Sequence, residues 1–115
     1  GKAVMGDGEV CGTGVGCPLQ ITARVKVIKR TIPRPMLETE DAWMTVASAD
    51  TLEKACEMAN LDLIDVIVKA TGYSWEEAYM LTSLVADLKI CQVVDPLMTV
   101  RMAMPKRYLP QAFAD

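Results

Sequence analysis

The sequence contains no histidine. That absence excludes a Ser-His-Asp triad and a Cys-His pair built from this chain alone. Chemistry here runs on carboxylates or draws on groups supplied from elsewhere. Aromatic residues are also few, at 5%, against eight methionines. The expected core is therefore aliphatic and thioether-rich, methionine being a good filler of irregular gaps. The four cysteines, Cys11, Cys17, Cys56 and Cys91, form no close CxxC pairs. Their scattered spacing argues against a structural zinc site and leaves buried free thiols as the expectation. No apolar run approaches the roughly 18 residues of a membrane span. No basic stretch followed by an apolar one opens the chain as in a signal peptide. The expectation is a cytoplasmic protein with no membrane partner. Net charge is −3 with the acids dispersed, which is not the basic footprint of a nucleic-acid binder. The one basic cluster, Lys26, Lys29, Arg30 and Arg34, is interleaved with Val and Ile and bounded by prolines. It reads as a solvated strand face.

What is present describes one α+β domain over residues 1–115. At 51% hydrophobic, the composition is that of a folded chain with its own core. Residues 5–16 hold five glycines and imply positive φ or close backbone approach. Their spacing fits neither the dinucleotide fingerprint nor a Walker A loop. Over residues 19–29, Leu19, Ile21, Ala23, Val25 and Val27 alternate with Gln20, Thr22, Arg24 and Lys26. Period two predicts a half-buried strand, which finds no partner N-terminal to it. Pro33 and Pro35 then break the chain, and residues 41–48 read as a second strand. Asp50 and Glu53 form a candidate capping box. Leu52, Ala55, Cys56, Ala59, Leu63, Val66, Ile67 and Ala70 follow at helical spacing up to Gly72, with Asn60 a candidate bend. Ser74 and Glu77 open a further helix. It carries no charge from Ala78 to Ala86, so burial on most sides is expected. Ile90–Val94 and Met98–Met104 read as closing strands around an Asp95-Pro96 turn. The expected architecture is antiparallel strands packed with two or three helices.

Among the acids, Asp7 and Glu9 stand out. They lie two apart in the glycine-rich stretch, so an extended backbone puts both carboxylates on one face. Such a pair can activate water, one group binding or orienting it while the other takes the proton. Backbone N–H groups at Gly6 and Gly8 lack side-chain hindrance and could meet an oxyanion. The alternative is that Asp7 and Glu9 buttress a turn, since Asp-Gly is a hairpin signal. Glu76 and Glu77 suit a helix N-terminus. Glu38, Glu40 and Asp41 suit a solvated loop, and Asp87 a structural role. Arg101 projects from the last strand as a potential carboxylate partner. Cys11 has no histidine to activate it.

Three stretches together resemble one family. They are Met5-Gly-Asp-Gly-Glu-Val-Cys-Gly-Thr-Gly, then Met44-Thr-Val-Ala-Ser-Ala, then Ala78-Tyr-Met-Leu followed by Asp87-Leu-Lys-Ile-Cys-Gln-Val-Val-Asp-Pro. Their order and spacing are similar to the C-terminal part of the acetamidase/formamidase family, from about Ala3 to Leu109. The resemblance implies the C-terminal part of a larger, β-rich amidase that hydrolyses short linear amides such as formamide and acetamide. It strengthens the pair Glu9 and Asp7 as catalytic residues, Glu9 first as general base and Asp7 second as a metal or water ligand, beside the unhindered Gly6 and Gly8 at the substrate. It also implies a divalent metal, zinc or calcium, for which Asp7 is the candidate ligand. The small-molecule amide is then one partner, and a missing N-terminal segment or a homo-oligomer the other. A non-catalytic assembly or binding module derived from that family is the competing expectation. Two positions depart from the family pattern: Lys2 stands where a histidine is usual, and Gly16 where an acid is usual.

Overall fold

Alternation organises the body of the molecule. In residues 42–49 every second side chain is buried, namely Trp43, Thr45, Ala47 and Ala49. Their antiparallel partners Met104, Met102, Val100 and Met98 point the same way. A computed structural model describes residues 2–3, by backbone alone, together with residues 6–109 and 111; Met5 of the first motif lies outside the described residues. The elements in chain order are β1 (Lys2–Ala3), β2 (Val15–Gly16), β3 (Met36–Glu38), β4 (Ala42–Ala49), α1 (Leu52–Thr71), α2 (Trp75–Val85), β5 (Asp87–Gln92) and β6 (Met98–Pro105). β3, β4, β6 and β5 form an antiparallel sheet in the order β3-β4-β6-β5, and β1 pairs separately with β2. Both helices pack on one face of the large sheet. The architecture is α+β, as the pattern predicts.

The core is a single cluster between α1 and the sheet. Leu63, Ile64 and Ile67 of α1 meet Val100 and Met104 of β6, all fully buried. Burying each such side chain contributes about 1.5–3 kcal/mol. Two polar groups of β4 taken into this layer are satisfied, whereas Asn60 Oδ1 on α1 is buried with no hydrogen-bond partner among the described residues. The Thr45 hydroxyl donates to the Ala59 carbonyl at 2.7 Å, and the Trp43 indole N–H donates to the Leu109 carbonyl.

Helix ends follow local chemistry, with one change of residue. Thr51, not Asp50, caps α1 by accepting from the Lys54 N–H, while Asp50 pairs with the Lys54 ammonium at 2.9 Å. Asn60 does not break the helix, which runs unbroken to a left-handed Gly72 at φ 76°. At α2 the reciprocal Ser74–Glu77 box is complete, satisfying two N–H groups that a helix start leaves open.

Three expectations fail. Residues 19–29 form no strand and are exposed throughout: they join neither sheet among the described residues. α2 buries only Ala78 and Thr82; Tyr79, Met80 and Leu84 are exposed because α2 touches the body along one side only. The thiols are free but not buried: Cys11 is exposed and Cys17, Cys56 and Cys91 are half-buried. No helix among the described residues is long and apolar enough to cross a membrane.

Candidate active site

The glycine-rich segment reaches the sheet at the outer edge of β5. Gly8 and Glu9 both donate their N–H to the Cys91 carbonyl, at 3.2 and 3.1 Å, and Val93 N–H donates to the Glu9 carbonyl at 3.0 Å. Glu9 thus bridges to Gln92 in parallel sense. The approach is close. Gly8 adopts φ 81°, in the left-handed region that favours glycine. A bulge between Ile90 and Gln92 frees the Cys91 carbonyl from the β5–β6 ladder to accept these two bonds.

This docking delivers Asp7 to Arg101. The guanidinium donates to both carboxylate oxygens, Nη1 to Oδ1 at 3.0 Å and Nη2 to Oδ2 at 2.7 Å. Nη1 also reaches the Cys91 sulfur at 3.2 Å. Arg101 lies opposite Lys89 across the β5–β6 ladder, on the sheet face turned away from the helices. Two cations side by side repel, and Asp7 is the counterion of Arg101, close enough to Lys89 to feel its charge. The Arg101 hydrogen bonds hold the Asp7 carboxyl below the usual carboxylate range. Burial opposes this, and the charges of Arg101 and Lys89 reinforce it. Arg101 in turn is pushed further up by its bonds to Asp7 and Cys91.

The four expected site residues therefore separate into different roles. Asp7 and Glu9 are brought to one sheet edge, but Asp7 is engaged and a weakened base. The Glu9 carboxylate makes no hydrogen bond or ion pair among the described residues, and its backbone is fixed on both sides. Gly8 N–H is committed to Cys91, so it is not free for an oxyanion. Gly6 is exposed, and nothing lies within 4 Å of where a Cβ would stand. Arg101 is the group that pattern reading ranked too low. The sequence marked it only as a potential carboxylate partner, because its register opposite Lys89 is set by the fold.

The neighbouring thiols and acids contribute less. Cys11 is lowered by its hydrogen bonds with the Thr13 hydroxyl and backbone, against burial and the nearby charges of Glu9 and Asp95, which raise it. Among those residues no three His, Cys, Asp or Glu side chains come together as a metal site. Both Asp7 oxygens are already taken by Arg101. The residues present do not by themselves fit a divalent metal. A bound metal would need further donors, and release of Asp7 from Arg101 if Asp7 is to be one of them. Asp87 is exposed at the start of β5, and Glu38 pairs with Lys106 at 2.6 Å.

No family model and no curated protein matches the chain. Solved structures do. A crystal structure of acetamidase from Bacillus halodurans is 36% identical over 74% of this chain, with a TM-score of 0.67. A predicted acetamidase/formamidase from Thermoanaerobacter tengcongensis is 34% identical over 73%, with a TM-score of 0.67. An acetamidase from Yersinia enterocolitica is 33% identical over 70%, with a TM-score of 0.66. Identity at this level with matching topology extends the likeness beyond fold alone. The α+β sheet-and-helix arrangement is common to this chain and the first of these structures. The match covers 29%, 28% and 24% of the three acetamidase chains respectively, so this chain spans less than a third of their length.

Proposed function

We propose that this chain is the C-terminal part of an acetamidase/formamidase-type hydrolase, a single domain that contributes one wall of an active site for short linear amides. The observation that carries the reading is the similarity to three acetamidase structures at 33–36% identity. The local geometry is compatible with it, and the following roles are the reading it supports. Glu9 is the general base: it takes a proton from water as the water oxygen attacks the amide carbonyl. The protonated Glu9 then gives that proton to the departing nitrogen. The C–N bond breaks, and acid and ammonia leave. A positioned base of this kind is worth about 10²–10⁴ in rate.

Asp7 is a positioning residue. Its two bonds to Arg101 fix the segment from which Glu9 projects. Gly6 leaves the space in which a small amide approaches. Oxyanion stabilisation and any metal ligands come from outside this chain, which is why the active site is completed by a further segment or another subunit. A cytoplasmic location fits a small, freely diffusing substrate.

The test is ammonia release from formamide and acetamide. It is run on the chain alone and on the chain combined with the N-terminal remainder of one of the acetamidases above. Release in the combined sample that falls about 10²-fold or more in Glu9→Gln supports the assignment. Release unchanged by Glu9→Gln removes Glu9 from the chemistry. No release in either sample leaves the non-catalytic module as the better account.

A further inference from the structure

Arg101 ties together three neighbouring stretches of chain. It stands on β6, opposite Lys89 of β5. Its Nη1 donates to the Cys91 sulfur of β5 at 3.2 Å. Nη1 and Nη2 also donate to the Asp7 carboxylate, on the segment docked along the outer edge of β5. Strands in a sheet lie about 4.8 Å apart, so the guanidinium has to cross the width of β5 to serve a group beyond it. Its side chain is 18% exposed, and it is held along the way.

Cys91 is where the attachments meet. It lies at the β5 bulge, between Ile90, which pairs with Val100, and Gln92, which pairs with Thr99. Its carbonyl accepts the N–H of Gly8 and of Glu9, while its sulfur accepts from Arg101. A bulged residue sits outside the regular ladder, so the ladder alone does not fix its peptide plane. The contact with Arg101 adds a second constraint on it. Arg101 therefore reaches the Glu9 backbone by two routes. One runs through the Asp7 carboxylate, two residues before Glu9. The other runs through the Cys91 peptide on which the Glu9 N–H rests. The Val93 N–H holds the Glu9 carbonyl as well, but that bond joins two neutral groups, and bonds to a charged group are roughly twice as strong.

We propose that Arg101 is the positioning residue for Glu9, acting through Asp7 and Cys91 together. Its catalytic consequence rests on the amidase reading; its hold on the segment does not. Asp7→Asn keeps the sulfur contact, and Cys91→Ala keeps the carboxylate fork. Each should lose less than Arg101→Met, which removes both. Arg101→Lys should recover only part, because an ammonium cannot present the planar fork.

Two measurements keep the hold and the chemistry apart. The first is amide exchange on the intact chain. Arg101→Met should speed exchange at Gly8, Glu9 and Val93 about tenfold or more, and leave Ala47 and Ala49 unchanged. Unchanged exchange at the first three overturns the proposal, as does equal acceleration at Ala47 and Ala49. The second is ammonia release from formamide by the chain combined with the N-terminal remainder of an acetamidase. Arg101→Met should lower kcat about tenfold or more, short of the loss in Glu9→Gln, with KM little changed. Added to Glu9→Gln it should cost nothing further, since it acts through Glu9. Guanidinium ion at low concentration should restore part of the lost kcat. A variant that is merely less folded would instead lose more, guanidinium being a denaturant. A further loss on the Glu9→Gln background, or a loss deepened by guanidinium ion, overturns the proposal in favour of a purely structural arginine. Exchange as expected beside release that Glu9→Gln does not change, or beside no release at all, sinks the amidase role of Glu9 and upholds the grip of Arg101 on the segment.

Discussion

The helix-covered body, residues 36–109, and the segment before it, residues 6–35, are built from similar residues and reach opposite environments. Val100 in β6 is fully buried, whereas Val25 is 87% exposed. Both sit in runs that alternate apolar and polar. What separates them is a sheet: β6 lies between β4 and β5 and under α1, while residues 19–28 belong to no sheet among the described residues. Apolar character favours burial, but a strand also has one backbone donor and one acceptor per residue to satisfy. Where no ladder is at hand, water takes that place and the side chains stay outside. Burial is a property of the pair, not of the segment.

The sharpest test of this contrast pairs one truncation in each region. Ile67→Ala should lose about 2–5 kcal/mol of unfolding free energy, the cost of emptying a well-packed site, since Ile67 is fully buried against the sheet. Ile21→Ala should change it by no more than about 0.5 kcal/mol, as for an ordinary surface position. Urea unfolding at a concentration where the chain is monomeric measures both. A loss above about 1 kcal/mol for Ile21→Ala would mean residues 19–28 pack on the body, and the contrast would fail.

A second test addresses the joint between the regions. Arg34 grips Asp62 through two nitrogens, and Asp62 is 7% exposed on α1. Removing Arg34 leaves a carboxylate in a place with little water. The full penalty for a buried pair is about 3–5 kcal/mol. Arg34 is itself about one-third exposed, so about 2 kcal/mol is expected for Arg34→Ala. Arg34→Lys should recover only part of it, because an ammonium cannot make the fork. The local readout is the Val46 N–H, bonded to the Pro35 carbonyl at 3.1 Å. Its hydrogen exchange should speed up in Arg34→Ala more than that of the Ala47 and Ala49 amides further along β4. Equal acceleration along β4 would show that the pair supports global stability and not this joint.

These differences also explain what was legible in the sequence. β4, α1, α2 and β6 were readable because local signals and tertiary contacts agree there: Ser74 and Glu77 cap α2, Gly72 ends α1, and Met98–Met104 alternate against α1. Residues 19–28 misled because their alternation is real but they join no sheet among the described residues. α2 misled because a charge-free stretch implies burial only if another layer exists to bury it. At the site, the Asp7–Glu9 spacing was legible, and so was the need for tight backbone approach at Gly8. The division of labour between the two acids was not. It depends on Arg101, distant in sequence, and on a bulge at Cys91 that no local pattern announces. Similarity to the acetamidase structures gives the site its chemical reading; the residues alone describe a docked loop.

The smallest effect expected is also the one closest to the proposed chemistry. Asp7 holds the glycine-rich segment to Arg101, and its carboxyl is lowered from 3.8. A lowered folded-state value means the ionised form is favoured by folding. The contribution is therefore complete above the unfolded value, about 3.9, and fades as pH falls through the lower folded value. Because the Asp7 side chain is 60% exposed, water and salt screen the pair, and global stability should barely register its loss. The docking of residues 6–9 should register it. Amide protection at Gly8, Glu9 and Val93 should be steady from about pH 7 to 5 and fall below about pH 4. Asp7→Asn should show the lower protection at every pH, with no step. Salt should weaken the Asp7 contact far more than the Arg34–Asp62 joint, where the carboxylate is buried. Protection that stays constant down to about pH 3 in the unmodified chain would mean that the backbone bonds to Cys91 hold the segment unaided. Asp7 would then be a passenger on the loop that positions Glu9, and the loss of activity predicted for Glu9→Gln would have no counterpart in Asp7→Asn.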